Sequence, residues 1–231
     1  MTSTAERLIA VSERIATAAR KAGRLSQDVR LIAVSKTRSV ADIQSLANQG
    51  VRDFAENQIQ EALGKVERLR ERALAWHFIG HLQSNKCTFI PGNFGWVHSI
   101  DSEKLVRRIA RAAEETGTDV KLLVQVNVSA DPAKHGVPSQ ELFSVVERIL
   151  EQSSDRTRLR GLMTIGYRDA SDDERRRSFA ALRSLLEQCQ RRFDPAISEL
   201  SMGMSDDFEL AIEEGATMVR VGTALFGPRA V

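Results

Sequence analysis

The stretch VRLIAVSKT, residues 29–37, decides how this chain is interpreted. Its four consecutive apolar residues, Leu31 to Val34, are typical of a strand that is buried on both faces. Such a strand delivers its last side chain, here Lys36, to the mouth of a packed sheet or barrel. An amine that is desolvated there is available in its neutral form as a nucleophile and can form a Schiff base with an aldehyde. This segment alone leaves open whether Lys36 is such an amine or simply extends into water.

Apolar runs of similar length recur along the chain and give eight candidate strands. They are Leu31–Ser35, Val51–Glu56, Trp76–Gly80, Trp96–Ile100, Val120–Val128, Leu159–Thr164, Glu199–Met202 and Met218–Val221. Helical patterns precede and separate them, and His81–Phe89 is the weakest of these. The first helix is an N-terminal segment with Leu8, Ser12, Ile15 and Ala19 at helical spacing and Gly23 as a stop. The others are Val40–Gln49, Gln58–Arg72, Glu103–Thr116, Glu141–Gln152, Asp172–Arg192 and Asp207–Glu214.

Alternation of strands and helices predicts a parallel sheet covered by helices. Eight repeats in about 200 residues indicate an α/β fold of one domain over residues 1–231, a (β/α)₈ TIM barrel with an extra N-terminal helix. A doubly wound open sheet is the main alternative. It is less favoured because the glycine-rich turn of a dinucleotide fold is missing after the first strand.

Composition narrows the class of protein. The 231 residues are 42% hydrophobic and 28% charged with a net charge of +2, which gives no electrostatic case for binding nucleic acid or an anionic membrane. Cys87 and Cys189 lie far apart without metal-type spacing, so we expect no metal. No stretch approaches the roughly 20 apolar residues of a membrane span, and the N-terminus lacks a signal peptide's apolar core. We therefore expect a cytoplasmic protein.

In such a barrel the functional residues lie at the C-terminal ends of the strands. This rule selects Lys36, Glu56 with Asn57, His81, Ser99 with Asp101, Asn127, Met163 with Thr164, Ser201 to Ser205, and Arg220 with Gly222 and Thr223. Helix capping is the competing explanation for some polar residues near these ends. Ser39, Asp101 and Asp206 are candidate N-caps.

The loops after the seventh and eighth strands predict an anion site. Ser201–Ser205 offers hydroxyls, a glycine and amides, and Gly222-Thr223 follows the last strand. Ordinary turn chemistry explains either loop alone, but both lie where barrel phosphate sites often occur. We expect Lys36 and these loops to face each other across the barrel mouth. That combination suits a phosphorylated aldehyde such as pyridoxal phosphate.

Several segments resemble the pyridoxal phosphate homeostasis proteins, relatives of the alanine racemase N-terminal barrel (PLP fold type III). They are 33–37 (AVSKT), 54–57 (FAEN), 77–86 (HFIGHLQSNK), 161–164 (GLMT), 200–207 (LSMGMSDD) and 219–227 (VRVGTALFG). The resemblance covers nearly the whole chain, and residues 77–86 and 201–207 are its most specific parts.

The resemblance implies roles for individual residues. Lys36 would carry pyridoxal 5'-phosphate as an internal aldimine, and Arg220 would approach the pyridine nitrogen. The phosphate would contact the Ser201–Ser205 loop, including Ser201, Met204 and Ser205, together with Gly222 and Thr223. Asn57 would lie near the ring, Met163 would pack against it, and His81 would be a cofactor contact unless it only organises its loop.

The same resemblance favours a protein that holds and transfers the cofactor to apo-enzymes over a catalyst. Racemases of this type have a second domain that supplies a catalytic tyrosine, and we expect none here, so a monomer is favoured. Tyr167 and His81 are the candidate proton donors for an alternative racemase or related carbanion enzyme. A Schiff-base aldolase is a third possibility.

Lys134-His135-Gly136 is either a lid or a solvated loop.

Overall fold

The strands form a closed parallel barrel surrounded by helices. The structure is a computed structural model that describes residues 3–129, 131, 134–166 and 170–228. Around the ring the eight barrel strands follow in the order β4 (Trp96–Ile100), β3 (Ala75–Phe78), β2 (Asp53–Glu56), β1 (Arg30–Val34), β9 (Met218–Val221), β8 (Glu199–Ser201), β7 (Thr157–Met163) and β5 (Val120–Asn127), and β4 pairs with β5 to close it. The short strand β6 (Val137–Pro138) pairs with the C-terminal end of β5, where Val126 lies opposite Val137. The (β/α)₈ barrel expected from the sequence is confirmed.

The nine strands are β1 (Arg30–Val34), β2 (Asp53–Glu56), β3 (Ala75–Phe78), β4 (Trp96–Ile100), β5 (Val120–Asn127), β6 (Val137–Pro138), β7 (Thr157–Met163), β8 (Glu199–Ser201) and β9 (Met218–Val221). The α-helices in the described residues are α1 (Thr4–Lys21), α2 (Val40–Asn48), α3 (Ile59–Arg68), α4 (Glu103–Thr116), α5 (Leu142–Gln152), α6 (Asp172–Arg192), α7 (Phe208–Glu213) and α8 (Thr223–Phe226). No helix within these residues is both long and apolar enough to span a membrane.

Two of the predicted helix caps were wrong by one residue. Ser39 caps α2 as expected, because its hydroxyl accepts the Asp42 N–H. However, Ser102 and Asp207, rather than Asp101 and Asp206, occupy the N-cap positions of α4 and α7. The weak helix at residues 81–89 is a 3₁₀ turn over Ser84–Phe89.

The apolar core has two parts with different locations. The larger part lies between the strands and the surrounding helices and includes Phe54, Phe78, Phe179 and Phe208. The smaller part is inside the barrel. We call it the interior cluster, and it consists of Ile32, Ala55, Trp96, Leu123, Met163 and Met218. Trp76 and Trp96 are both buried, as the sequence predicted.

Candidate functional site

Lys36 lies at the C-terminal end of β1, at the mouth of the barrel. The main chain stays in the sheet for one more residue, because the Ser35 N–H donates to the Ala55 carbonyl at 2.9 Å. The Lys36 side chain is then partly exposed. Its ammonium group forms no hydrogen bond or ion pair with the residues that the structure describes. The amine is therefore free for a ligand.

A second lysine, Lys65, is buried directly behind this strand end. Its Nζ lies 2.8 Å from the Ser35 carbonyl oxygen, 2.9 Å from Glu56 Oε1 and 2.6 Å from Glu61 Oε1. Ser35 Oγ also donates to Glu56 Oε1 at 2.6 Å, and the Thr37 N–H donates to Glu61 Oε1 at 2.7 Å. We call Ser35, Thr37, Glu56, Glu61 and Lys65 the wall network.

The wall network fixes the main chain on both sides of Lys36. Ser35 precedes Lys36 and Thr37 follows it, and each is bound to a carboxylate. Thr37 has a φ of 63°, a left-handed conformation that non-glycine residues rarely adopt. Its bond to Glu61 helps to hold that conformation. The lysine side chain is thus free while its backbone is held.

Burial and charge act in opposite directions on the two carboxylates of the wall network. Burial raises the pKa of Glu56, against the hydrogen bonds from Ser35 and Lys65. Burial also pushes the pKa of Glu61 upward, but the bonds from Lys65 and Thr37 outweigh it and lower that pKa. Among the residues that the structure describes, none forms a hydrogen bond with Glu56 Oε2, so the Glu56 charge depends on contacts to its other oxygen.

The expected anion site lies beside Lys36. In the closed barrel β9 pairs with β1, with Ala33 opposite Val221. A Cβ added to Gly222 would lie 3.5 Å from Cβ of Val34, so the two strand ends are in contact. The expectation that lysine and anion site face each other across the mouth is therefore wrong. It overlooked that the first and last strands of a closed barrel are neighbours.

Ser205 links the two loops of the expected anion site. Its Oγ accepts the N–H groups of Gly222 at 3.3 Å and Ala224 at 3.4 Å. These amides lie at the N-terminal end of α8, which also carries the exposed Thr223. A hydroxyl and main-chain N–H groups thus converge next to Lys36, as an oxyanion requires.

The loop after β8 is held against α7. Gly203 has a φ of 90°, and an added Cβ would lie 2.6 Å from Cβ of Ala211, so glycine is required there. The Met204 N–H donates to Asp207 Oδ1 at 2.7 Å, and burial raises the pKa of Asp207 against that bond. Met204 itself is 38% exposed, so its thioether is available to a ligand.

Arg220 is a fully enclosed cation inside the barrel. Its Nη1 donates to Ser201 Oγ at 2.6 Å, and its Nη2 donates to the Thr164 carbonyl at 2.8 Å. Burial lowers the pKa of Arg220 to about 10, while the Asp207 charge raises it. The guanidinium therefore remains charged at neutral pH.

The Ser201 hydroxyl is occupied within the barrel. It lies 2.8 Å from His98 Nδ1 in addition to its bond from Arg220. The contact of Ser201 with a phosphate stays a prediction, whereas its hydrogen bond with Arg220 is present in the structure. Met163, from the preceding strand, is buried in the interior cluster.

Asn57 and His81 follow the next two strands around the mouth. An added Cβ at Gly80 would lie 2.0 Å from the Asn57 carbonyl oxygen, so only glycine lets the chain after β3 pack on Asn57. His81 is exposed and stacks on His135, with ring centroids 4.1 Å apart and planes at 15°. Both residues lie on the rim, and their expected cofactor contacts stay predictions.

The loop that carries Lys134-His135-Gly136 covers part of the rim. Gln125 Nε2 donates to the His135 carbonyl at 2.9 Å, which ties this loop to β5. A cavity of about 200 Å³ lies beneath it, bordered by Asn127 and Ile165 among others. Tyr167, the other proton donor considered from the sequence, lies outside the described residues.

Sequence reasoning missed the buried polar partners of the site. Lys65 lies on the inner face of α3 with Ile59, Ala62 and Val66, and that apolar spacing around a lysine was an available signal. His98 lies within the strand Trp96–Ile100, where a buried imidazole requires a partner. Within the described residues, no three His, Cys, Asp or Glu side chains are arranged to hold a metal ion.

Comparison with known proteins assigns the family. The sequence profile described as "Alanine racemase, N-terminal domain" matches residues 7–230. The pyridoxal phosphate homeostasis protein of Pseudomonas aeruginosa is 43% identical over 229 residues, which are 99% of this chain and 97% of that protein. That of Aquifex aeolicus is 41% identical and covers 97% of each chain. The chain belongs to the pyridoxal phosphate homeostasis protein family.

Solved structures agree with this family and with the barrel type. PipY of Synechococcus elongatus with PLP bound has a TM-score of 0.82 and 39% identity, covering 94% of this chain and 100% of that one. Alanine racemase from Corynebacterium glutamicum has a TM-score of 0.68 at 18% identity, covering 97% of this chain and 62% of the racemase. The racemase likeness shows a shared fold.

Proposed function

We propose that this chain binds pyridoxal 5'-phosphate through Lys36 and delivers it to apo-enzymes without turning over a substrate of its own. The observation that carries this proposal is the position of Lys36 beside the Ser205–Gly222 anion site, on neighbouring strands that also enclose Arg220. Amine, anion site and enclosed cation match the three chemical features of the cofactor, its aldehyde, phosphate and pyridine nitrogen. The names of the related homeostasis proteins and the PLP-bound PipY support it.

Each residue has a distinct part in this proposal. The cofactor supplies an aldehyde that condenses with a primary amine, with loss of water. Lys36 provides the amine, and Ser205, Gly222 and Thr223 bind the phosphate through hydroxyl and N–H groups. Met163 and Met204 pack near the ring, since thioethers suit irregular apolar surfaces. Asn57 and His81 contact its edge from the rim.

Arg220 favours retention of the cofactor over catalysis. A guanidinium that stays charged at neutral pH disfavours a second positive charge beside it, so a pyridine nitrogen there remains unprotonated. An unprotonated ring withdraws electrons less strongly and stabilises a carbanion poorly. Carbanion chemistry at this site would therefore depend on a second proton donor opposite Lys36.

The visible absorption spectrum tests the binding. Purified protein mixed with pyridoxal phosphate should show an imine band, and borohydride reduction followed by peptide mapping should locate the label on Lys36. Lys36→Ala should lose the band. Lys104→Ala, which removes an exposed lysine on α4, is the matched control and should keep it. A wild-type protein that stays colourless would exclude the proposal.

Delivery and turnover need separate measurements. Loaded protein should restore activity to a pyridoxal phosphate-dependent apo-enzyme while a scavenger removes free cofactor, and unloaded protein should not. Exchange of α-hydrogens of amino acids in deuterated water should be undetectable, and Lys36-dependent exchange would instead establish the carbanion enzyme.

We also propose that residues 1–231 form one domain that works as a monomer in the cytoplasm. Light scattering of the purified protein tests the monomeric state.

A further inference from the structure

A line of polar side chains, partly exposed at Asp53 and buried from His77 onward, runs through the barrel to Arg220. Asp53 Oδ1 lies 2.9 Å from His77 Nε2, and His77 Nδ1 lies 2.9 Å from His98 Nε2. His98 Nδ1 lies 2.8 Å from Ser201 Oγ, which accepts from Arg220 at 2.6 Å. We call Asp53, His77, His98, Ser201 and Arg220 the interior chain.

The two ends of the interior chain fix the direction of every hydrogen bond between them. A guanidinium only donates, so Ser201 Oγ must accept from Arg220. An ionised carboxylate only accepts, so Nε2 of His77 must donate to Asp53. A neutral imidazole has one donor and one acceptor. His77 Nδ1 then accepts from His98 Nε2, and His98 Nδ1 accepts the Ser201 hydroxyl proton.

Burial keeps both imidazoles neutral, as this direction requires. His77 and His98 have no exposed surface, and burial lowers the pKa of both side chains. The Arg30 charge also lowers the pKa of both side chains, whereas Asp53 raises the pKa of His77. His77 also stacks on Trp96, with centroids 5.6 Å apart and planes at 8°, which fixes the plane of the ring.

The interior chain connects opposite ends of the barrel. Asp53 is the first residue of β2, its side chain is 22% exposed, and it lies 3.8 Å from Arg30. Arg220 lies near the C-terminal end of β9, where the proposed cofactor ring would be. Hydrogen bonds in series polarise one another, so the Asp53 charge strengthens each acceptor up to Ser201 Oγ.

We propose that Asp53, His77, His98 and Ser201 are positioning residues that orient the Arg220 guanidinium and set the charge it presents to the cofactor. This inference rests on the proposed function, because it takes the cofactor ring to lie at Arg220. Asp53 thereby influences the cofactor from the far end of the barrel, through three intervening side chains and without contact.

Nuclear magnetic resonance of the cofactor-free protein tests the direction of the interior chain. The chain has four histidines, so two-bond proton–nitrogen correlations can be assigned with His77→Gln and His98→Gln. We expect both rings to be neutral with the proton on Nε2 at pH 7. A proton on Nδ1 of His98, or a charged ring at either position, would overturn the proposal. This measurement does not depend on cofactor binding.

The absorption spectrum of the bound cofactor tests the transmission, that is, whether Asp53 and Ser201 influence the cofactor through Arg220. Ser201→Ala should shift the absorption band, Ser201→Thr should restore it by replacing the hydroxyl, and Asp53→Asn should shift it in the same direction by less. Asp119→Asn is the matched control, because this carboxylate pairs with Arg156 away from the interior chain, and it should leave the band in place.

The outcomes separate the two proposals. A wild-type protein that binds no cofactor refutes the proposed function, while the tautomers still decide the direction of the interior chain. A wild-type protein that binds the cofactor, with unchanged bands in Asp53→Asn and Ser201→Ala, refutes the transmission alone.

Discussion

The wall network and the interior chain place buried polar groups on opposite sides of the same strands. The wall network is compact and ionic, since one lysine contacts two carboxylates. The interior chain is linear, and its central links are two neutral imidazoles and a hydroxyl. One ends on the main chain around Lys36, and the other ends on Arg220.

This difference separates two ways of supporting a site. Removing one ion from a compact buried pair leaves its partner charged and desolvated. Substitutions in the wall network should therefore mainly lower the free energy of unfolding. A line of neutral donors and acceptors has a direction that can be reversed or interrupted. Substitutions in the interior chain should therefore mainly change the orientation and charge of the Arg220 guanidinium.

Loss of Lys65 should have the largest effect on stability. Lys65→Met leaves Glu56 buried without its cation, and breaking such a pair costs about 3–5 kcal/mol of unfolding free energy. Urea unfolding followed by circular dichroism measures this change. Lys104→Met, on the exposed face of α4, is the control. Equal stabilities of the two variants would show that the wall network is not an ionic support.

Removal of both charges should recover part of that loss. In Glu56→Gln combined with Lys65→Met, no fully buried charge is left without a partner, and the remaining Glu61 carboxylate is 28% exposed and can be solvated. The double variant should therefore be more stable than Lys65→Met alone. The same unfolding measurements give the coupling free energy. Additive losses from the two substitutions would contradict a direct interaction between these side chains.

Acid should destabilise the protein through the interior chain. The pKa of His98 lies well below its ordinary value of 6.5 in the fold, first because of burial; a proton on His77 would lower it further, and the charges of Arg220 and Arg30 act in the same direction. As pH falls below 6.5, His98 of the unfolded state binds a proton while His98 of the folded state stays neutral. The unfolding free energy therefore falls, by at most about 1.4 kcal/mol per pH unit for each such group.

Substitution of His98 should reduce this pH dependence. Between pH 6.5 and 5 the unfolding free energy of His98→Gln should fall less steeply than that of the wild type, and His77, whose pKa burial also lowers, should account for part of the remaining slope. Denaturant unfolding at several pH values measures the slopes, which are independent of any constant loss of stability. Identical slopes would rule out His98 as the titrating group.

Neutralisation of Glu61 should have the smallest effect. Its side chain is 28% exposed, so the ion pair with Lys65 is partly screened, and Glu61→Gln should cost no more than about 1 kcal/mol. The amide oxygen can still accept the Thr37 N–H, so binding at Lys36 should persist. Glu61→Ala removes that acceptor and should weaken cofactor binding relative to Glu61→Gln, which titration at 25 °C would compare.

The strands were predictable because each apolar run is local in sequence. Trp96–Ile100 and Met218–Val221 have the bounds expected from their residues. The predicted strand Val51–Glu56 instead begins at Asp53, since Val51 and Arg52 precede the ladder with β3. The rule that sites form at C-terminal strand ends placed Lys36 and Gly222 correctly at the mouth.

The partners of the site residues were not predictable in the same way. Lys65 meets Glu56 only after α3 packs on the barrel, and His98 meets Ser201 across the interior although 103 residues separate them. Periodicity identifies which face of an element is buried but not which polar groups will meet there. The side-by-side arrangement of Lys36 and Gly222 likewise follows from closure of the ring.

That closure makes the proposed site a product of the finished fold. Lys36 follows the first strand and Gly222 follows the last, so the two come together only when β9 has been synthesised and has paired with β1. Contacts between such distant parts of a chain form late, because the long intervening loop must first be ordered. A ligand held at this junction stabilises the closed ring by an amount that grows with the logarithm of its free concentration once that exceeds the Kd. Cofactor supply would then also govern how long each newly made molecule survives.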